Sequence, residues 1–164
     1  MIAETNRMKK ILLIDDDPDI LALLEYLFSR LNYEVFSFPD VIPITKITKI
    51  EPDVIILDQR LPTSLGSDFC LQLKTHPETQ HIPVVILSAE DGLPQIAKDG
   101  CADGFVEKPF DIEKLNTTVK NAISLQAVGE RNWPLFLSSI PGLREVYDYL
   151  RRFRPPVMAV NSKN

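Results

Sequence analysis

A run of four apolar residues, Val54 to Leu57, leads without a break into the carboxylate of Asp58. A short, continuous apolar run rich in β-branched residues is typical of a strand buried on both faces, as in a parallel sheet covered by helices. In such sheets the carboxyl ends of the strands form the ligand crevice. A charge there is costly unless a metal or hydrogen-bond donors compensate it. Asp58 therefore either begins a turn or belongs to a binding site. The residues at the ends of the other predicted strands distinguish these two possibilities.

Similar runs recur along the chain and predict five strands, over residues 11–14, 33–38, 53–58, 83–88 and 103–107. Apolar residues at helical spacing predict helices between them, over about residues 18–31, 41–50, 66–75 and 89–98, and from Asp111 onward. Asp17 suits the N-cap of the first helix and Pro18 suits its first turn. Strands that alternate with helices in this way predict an α/β protein with a parallel sheet and right-handed crossovers.

Polar or charged side chains follow four of the five predicted strands. They are the aspartates 15–17, Asp58, Ser88 and Lys108. Carboxylates after the first and third strands suit a hard cation with oxygen ligands, such as Mg²⁺. A hydroxyl and an ammonium suit the oxygens of a phosphoryl group. The chemistry that uses all of these groups is transfer of a phosphoryl group onto a carboxylate.

These residues, in this order, resemble the receiver domain of two-component response regulators over about residues 8 to 128. The resemblance lies in the acidic pair after the first strand and the aspartate that ends the third. It continues through Pro62 and Gly66, Ser88-Ala89, and Lys108-Pro109-Phe110. It implies a flavodoxin-like, doubly wound, five-stranded parallel sheet of order 2-1-3-4-5, with helices on both faces.

The resemblance also implies roles for single residues. Asp58 would be the phosphoacceptor, with Ser88 and Lys108 binding the phosphoryl oxygens. The metal, Mg²⁺ with Mn²⁺ as an alternative, would be held by Asp15, Asp16, Asp58 and the backbone carbonyl of Arg60.

Three further expectations concern the switch, the backbone and dephosphorylation. Ser88 would shift inward on activation together with Phe105, which stands where the family most often has Tyr. The Lys108–Pro109 bond would be cis. Gln59, Arg60 and Glu90 are expected to border the phosphoryl site and to tune dephosphorylation by admitting or blocking water.

The function implied is that of a switch which accepts a phosphoryl group from a sensor histidine kinase or a histidine phosphotransfer protein. The switched surface would bind a downstream protein that the sequence does not name, and a homodimer is one of the assemblies that the resemblance allows. We expect a signalling protein that catalyses only its own phosphorylation and dephosphorylation.

Two alternatives start from the same residues. Asp15 and Asp17 form an Asp-x-Asp after an apolar strand, as in haloacid-dehalogenase-like phosphatases, where the first aspartate is the nucleophile. That interpretation leaves Asp58 unexplained, and Asp19 stands where that family would have Thr or Val. The other alternative is a pseudo-receiver scaffold that binds partners without phosphorylation.

The net charge of −5 argues against nucleic acid as the main partner. No apolar run is long enough to cross a bilayer, and the first ten residues lack a secretory signal, so we expect a cytoplasmic protein. We expect both cysteines, Cys70 and Cys101, to be reduced. A boundary is predicted near Gly129, which separates a receiver domain at 1–128 from a helical extension at 129–164. This extension is too short for an independent domain.

Overall fold

The computed structural model describes residues 7–127, in which strands and helices alternate along the chain. The elements are β1 (Lys9–Ile14), α1 (Pro18–Arg30), β2 (Tyr33–Phe38), α2 (Ile44–Ile50), β3 (Val54–Asp58), α3 (Gly66–Thr75), β4 (Val84–Ser88), α4 (Leu93–Asp99), β5 (Gly104–Glu107) and α5 (Ile112–Ala127). This alternation confirms the predicted α/β class.

The five strands form one sheet in the order β2-β1-β3-β4-β5, and every neighbouring pair is parallel. The predicted flavodoxin-like order is confirmed. The chain starts in β1, moves outward to β2 and then returns past β1 to β3. The strand order therefore reverses between β1 and β3, where open α/β sheets commonly bind their ligands.

Burial on both faces explains why β3 and β4 are apolar up to their last residues. Every residue of β3 and β4 is buried, including the polar side chains that end them. Alternate residues point to opposite faces, so that Leu57 joins a core with helices α2 to α4 and Ile56 joins a core with α1 and α5. The sheet therefore has a hydrophobic core on each of its faces.

Helix α1 begins at the predicted cap. The Asp17 side chain accepts hydrogen bonds from the amides of Asp19 and Ile20, and Pro18 occupies the first turn. At α5, the side chain of Asp111 accepts the amide of Lys114 at 2.9 Å, the bond expected of an N-cap residue. Capping thus accounts for one of the three aspartates after β1 and leaves Asp15 and Asp16 for another role.

Two predicted helix starts are wrong. Helix α4 begins at Leu93 rather than Ala89 because Gly92 adopts a left-handed backbone with φ 78°, which a continuous helix excludes. Helix α2 begins at Ile44 rather than Val41 because Pro43, at φ −56° and ψ 142°, is extended. Ile42 still packs in the core although it lies in a loop. In both cases the observed helix is shorter at its amino end than the predicted one.

The predicted extension at 129–164 lies outside the described residues, so that boundary stays a prediction. Within residues 7–127, no helix is long and apolar enough to cross a membrane.

Candidate functional site

The carboxyl ends of β1, β3, β4 and β5 bring the predicted site residues to one cavity of about 630 Å³. Asp15 and Lys108 directly follow β1 and β5, whereas Asp58 and Ser88 are the last residues of β3 and β4. The cavity is lined by Asp15, Asp16, Asp17, Asp58, Arg60, Ser88, Ala89, Glu90, Asp91 and Lys108. The topology therefore unites side chains that are far apart in sequence.

Lys108 bridges the carboxylates of two strands. Its Nζ atom lies 2.6 Å from Oδ2 of Asp15 and 2.6 Å from Oδ1 of Asp58. The three side chains are 18%, 2% and 9% exposed, respectively, so water screens these ion pairs only in part. Burial lowers the pKa of Lys108, but the hydrogen bonds and charges of both aspartates outweigh burial and leave this pKa above its ordinary value.

Asp58 is a desolvated carboxylate. Burial raises its pKa above the ordinary value and the charge of Asp15 adds to that rise, whereas the hydrogen bonds of Lys108 and of the Arg60 amide oppose it without prevailing. The Arg60 amide donates to Oδ2 of Asp58 at 2.6 Å. Asp58 therefore lies between one backbone donor and one cation, which together orient its two oxygens.

Asp15, Asp16 and Asp58 form a candidate metal centre. Their ligand oxygens all lie within 4.8 Å of one another; Asp15 and Asp58 are buried and Asp16 is exposed. Oδ1 of Asp15 also accepts the amide of Asp17 at 3.0 Å, which fixes the orientation of its carboxylate. Oxygen donors at this spacing, with one side open to solvent, fit a hydrated Mg²⁺ ion.

Ser88 lines the same cavity at the end of β4 and is 2% exposed. Its Oγ atom accepts the amide of Glu90 at 2.9 Å, so its hydroxyl proton is left to donate. The backbone carbonyl of Ser88 accepts the Lys108 amide at 2.8 Å, which joins the ends of β4 and β5. The peptide bond between Lys108 and Pro109 is cis.

Arg60 and Glu90 come from different loops and form an ion pair at the cavity, with side chains 79% and 27% exposed. Phe105 is on β5 and 39% exposed, and it is not among the residues that line the cavity. The switch role of Phe105 and the ligand role of the Arg60 carbonyl stay predictions.

Gln59 does not border the cavity as expected. Its side chain is buried and bonds to Ser67 on α3, with Oε1 accepting the Ser67 amide at 2.9 Å and Nε2 donating to Oγ at 3.2 Å. The sequence offered one signal for this contact, a polar residue directly after a buried strand. Its partner could not be identified before the β3–α3 turn was seen.

Comparison with known proteins identifies the family that the site residues resemble. The family model for the response regulator receiver domain matches residues 11–120. Protein Rrf1 of Nitratidesulfovibrio vulgaris is 33% identical over 128 residues, which cover 76% of this chain and 90% of Rrf1. The DNA-binding dual master transcriptional regulator RpaA of Synechocystis is 34% identical over 116 residues, which cover 69% of this chain but only 48% of RpaA. The chain thus spans about half the length of that transcriptional regulator.

Solved structures agree with the sequence relatives. The chemotaxis response regulator CheY4 of Vibrio cholerae aligns with a TM-score of 0.65 and 28% identity, covering 71% of this chain and 99% of CheY4. The receiver domain of sensor histidine kinase PA1611 from Pseudomonas aeruginosa, solved with a magnesium ion coordinated in its active site cleft, aligns with a TM-score of 0.65 at 22% identity over 72% of this chain and 99% of that domain. Neither alternative, the phosphatase or the pseudo-receiver, gains support from these matches. From its sequence, strand order and relatives, the chain belongs to the response regulator receiver family of two-component systems.

Proposed function

We propose that this chain is a phosphorylation-controlled switch in which Asp58 accepts a phosphoryl group from a phosphohistidine of a sensor kinase or a phosphotransfer protein. The observation that carries this proposal is the bridge by Lys108 between Asp15 and Asp58, at the edge of the sheet where the strand order reverses. A carboxylate that is desolvated, oriented and held beside an ammonium suits in-line attack on phosphorus.

In the proposed step, one oxygen of Asp58 attacks the phosphorus atom while the phosphorus–nitrogen bond to the imidazole breaks. The new phosphorus–oxygen bond forms an acyl phosphate, and the imidazole leaves with its electron pair. Lys108 is within reach of an oxygen added to Asp58, and the Ser88 hydroxyl is free to donate to another. Both groups would thus stabilise charge on the transferred phosphoryl group. Attack by water on the phosphorus atom of the acyl phosphate would break its bond to Asp58, which would release inorganic phosphate and restore the carboxylate.

The metal would be held by Asp15, Asp16, Asp58 and the carbonyl of Arg60. When bound, Mg²⁺ or Mn²⁺ would supply positive charge next to the phosphoryl oxygens. The three carboxylates within 4.8 Å support this placement. The magnesium ion described for the PA1611 receiver domain supports it as well.

Phosphorylation would be read by a protein partner. Ser88 would shift toward the phosphoryl group, and Phe105 would rotate inward from its exposed position on β5. Such a switch works by shifting the populations of two states.

The proposal includes a cytoplasmic location. Cys70 and Cys101 are both free and buried, and free thiols are typical of proteins in reducing compartments.

Titration with beryllofluoride, an unreactive phosphoryl mimic, in the presence of Mg²⁺ tests the proposal. We expect amide NMR shifts around Asp58, Ser88 and Lys108 in the wild type and none in Asp58→Asn. Unshifted spectra of the folded wild type at saturating reagent would overturn the proposal. The phosphatase alternative instead predicts multiple turnovers of a phosphomonoester that Asp15→Asn abolishes and Asp58→Asn leaves intact.

A further inference from the structure

Gln59 is a buried polar residue, 3% exposed, between the phosphoacceptor Asp58 and the loop residue Arg60. Its backbone amide donates to the carbonyl of Leu87 at 3.0 Å, which continues the pairing of β3 with β4. Its carbonyl accepts the amide of Gly66 at 2.8 Å, and its side chain makes the two bonds to Ser67 described above. Gln59 is therefore fixed to a neighbouring strand on one side and to helix α3 on the other.

Helix α3 makes this contact at its first turn. Its N-cap residue, Leu65, makes no side-chain hydrogen bond to the free amides of that turn. The Gln59 Oε1 atom supplies the acceptor for the Ser67 amide from outside the helix. Such an acceptor at a helix start stabilises it in the way an N-cap side chain does. If Gln59 acted only as a substitute N-cap, its role would be limited to stabilising the start of α3.

The next peptide gives Gln59 a second role. The Arg60 amide, directly after Gln59, donates to Oδ2 of Asp58 at 2.6 Å, and the Arg60 carbonyl is the proposed metal ligand. The turn itself is closed by a bridge between Arg60 and Leu65. The Gln59 side chain adds the bonds that join the start of this turn to Ser67 on α3. We propose that Gln59 is a positioning residue which, by fastening the β3–α3 turn to Ser67, orients the Arg60 peptide toward Asp58 and the metal. The inference rests on the proposed function because that function supplies the metal and the acceptor role of Asp58.

Side chains that hydrogen-bond to the ligands of a metal site typically change metal affinity by about 10- to 100-fold when they are removed. Gln59 acts through the Arg60 peptide rather than on a ligand directly, so we expect an effect at the lower end of that range. Gln59→Met keeps the length of the side chain and removes both bonds to Ser67. Gln72→Met makes the same substitution at an exposed position of helix α3 and serves as the matched control. Ser67→Ala removes only the hydroxyl and keeps the hydrogen bond from the Ser67 amide to Gln59 Oε1. This milder variant allows the test to be made if Gln59→Met does not fold.

Two readouts on the full chain test the inference without a phosphodonor. Calorimetric titration with Mg²⁺ should give a dissociation constant about tenfold higher for Gln59→Met than for the wild type. The constant should be unchanged for Gln72→Met and should lie between the two for Ser67→Ala. Amide hydrogen exchange without metal should be faster at both Ser67 and Arg60 in Gln59→Met.

The inference would be overturned if Gln59→Met speeds amide exchange at Ser67 but leaves exchange at Arg60 and the magnesium affinity unchanged. Gln59 would then act only as a cap of α3. If only Ser67→Ala folds, a magnesium constant and an Arg60 exchange rate equal to those of the wild type would overturn it. The proposed function fails separately, if the wild type binds Mg²⁺ but takes up no phosphoryl group on Asp58. A wild type that binds no Mg²⁺ would overturn both.

Discussion

The Nζ atom of Lys108 lies 2.6 Å from Oδ1 of Asp58, although 50 positions separate these residues along the chain. The same ammonium lies 2.6 Å from Oδ2 of Asp15. For this contact to form, the carboxyl ends of β1, β3 and β5 must lie at the same edge of the sheet. The parallel order β1-β3-β4-β5 places them there. The site is therefore a consequence of the sheet topology rather than of any one loop.

Asp58 should destabilise the metal-free protein. A carboxyl whose pKa is higher in the folded chain than in the unfolded chain binds more protons when folded, so stability falls as pH rises through the folded pKa. We expect Asp58→Asn to be more stable than the wild type at pH 7 without metal, because the substitution removes a desolvated negative charge. The difference should shrink as the pH falls below the raised pKa of Asp58.

Urea unfolding at several pH values measures this effect, with Glu113→Gln as the control because Glu113 is an exposed carboxylate. A difference that grows as the pH falls would contradict the sign of the shift. Mg²⁺ should narrow the gap at pH 7 because the added cation offsets the repulsion between Asp58 and Asp15.

Gly66 is required by a close backbone approach. A Cβ atom at this position would lie 2.2 Å from the carbonyl oxygen of Asp58. Gly66→Ala should therefore lower the free energy of unfolding by about 3 kcal/mol, the upper end of the usual cost of overpacking, because the atoms that must shift belong to the backbone. Gly92→Ala is the matched control: nothing lies within 4 Å of its Cβ position, and only its φ of 78° opposes a side chain. That variant should lose about 1–2 kcal/mol, and equal losses for the two in urea unfolding would contradict the steric argument.

A second buried ion pair, at the opposite end of the sheet, should affect stability and not phosphorylation. The Lys74 side chain is 1% exposed and bonds to Asp103 and to the carbonyl of Ile82, which precedes β4. Lys74→Met leaves the carboxylate of Asp103 without this partner and should cost about 3–5 kcal/mol. The exposed Lys120 on α5 provides the control, Lys120→Met. Loss of phosphorylation in Lys74→Met protein that is still folded would show that the two ends of the sheet are coupled.

Neither cysteine should react in the folded protein. Burial raises the pKa of the Cys70 thiol far above its ordinary value and also raises that of Cys101. Because the thiolate is the reactive form, iodoacetamide at pH 7.5 should modify both residues only after unfolding in urea. Mass spectrometry of the native protein after alkylation checks this, and rapid addition to either thiol would show that α3 or the loop after α4 opens readily.

The sequence was most informative where a physical constraint acts on every residue. Residues 54–57 could be recognised as a buried strand because burial on both faces leaves no place for a polar side chain. Asp58, Ser88 and Lys108 could be assigned to one site because parallel strands end at one edge of the sheet. The start of α4 cannot be located from the sequence because Gly92 is compatible with a helix, and its left-handed conformation is seen only in the structure. The contact of Gln59 with Ser67 was missed because it depends on the path of a loop.

The central claim is that Asp58 accepts the phosphoryl group, and intact-mass spectrometry tests it most directly. The wild type, Asp58→Asn and the exposed-site control Glu113→Gln are each incubated with Mg²⁺ and acetyl phosphate, and in parallel with a phosphorylated histidine phosphotransfer protein. We predict a single phosphoryl adduct on the wild type and on the control that is absent from Asp58→Asn and from samples treated with a metal chelator. An adduct of equal yield on Asp58→Asn, or no adduct on the wild type from either donor, would contradict the account.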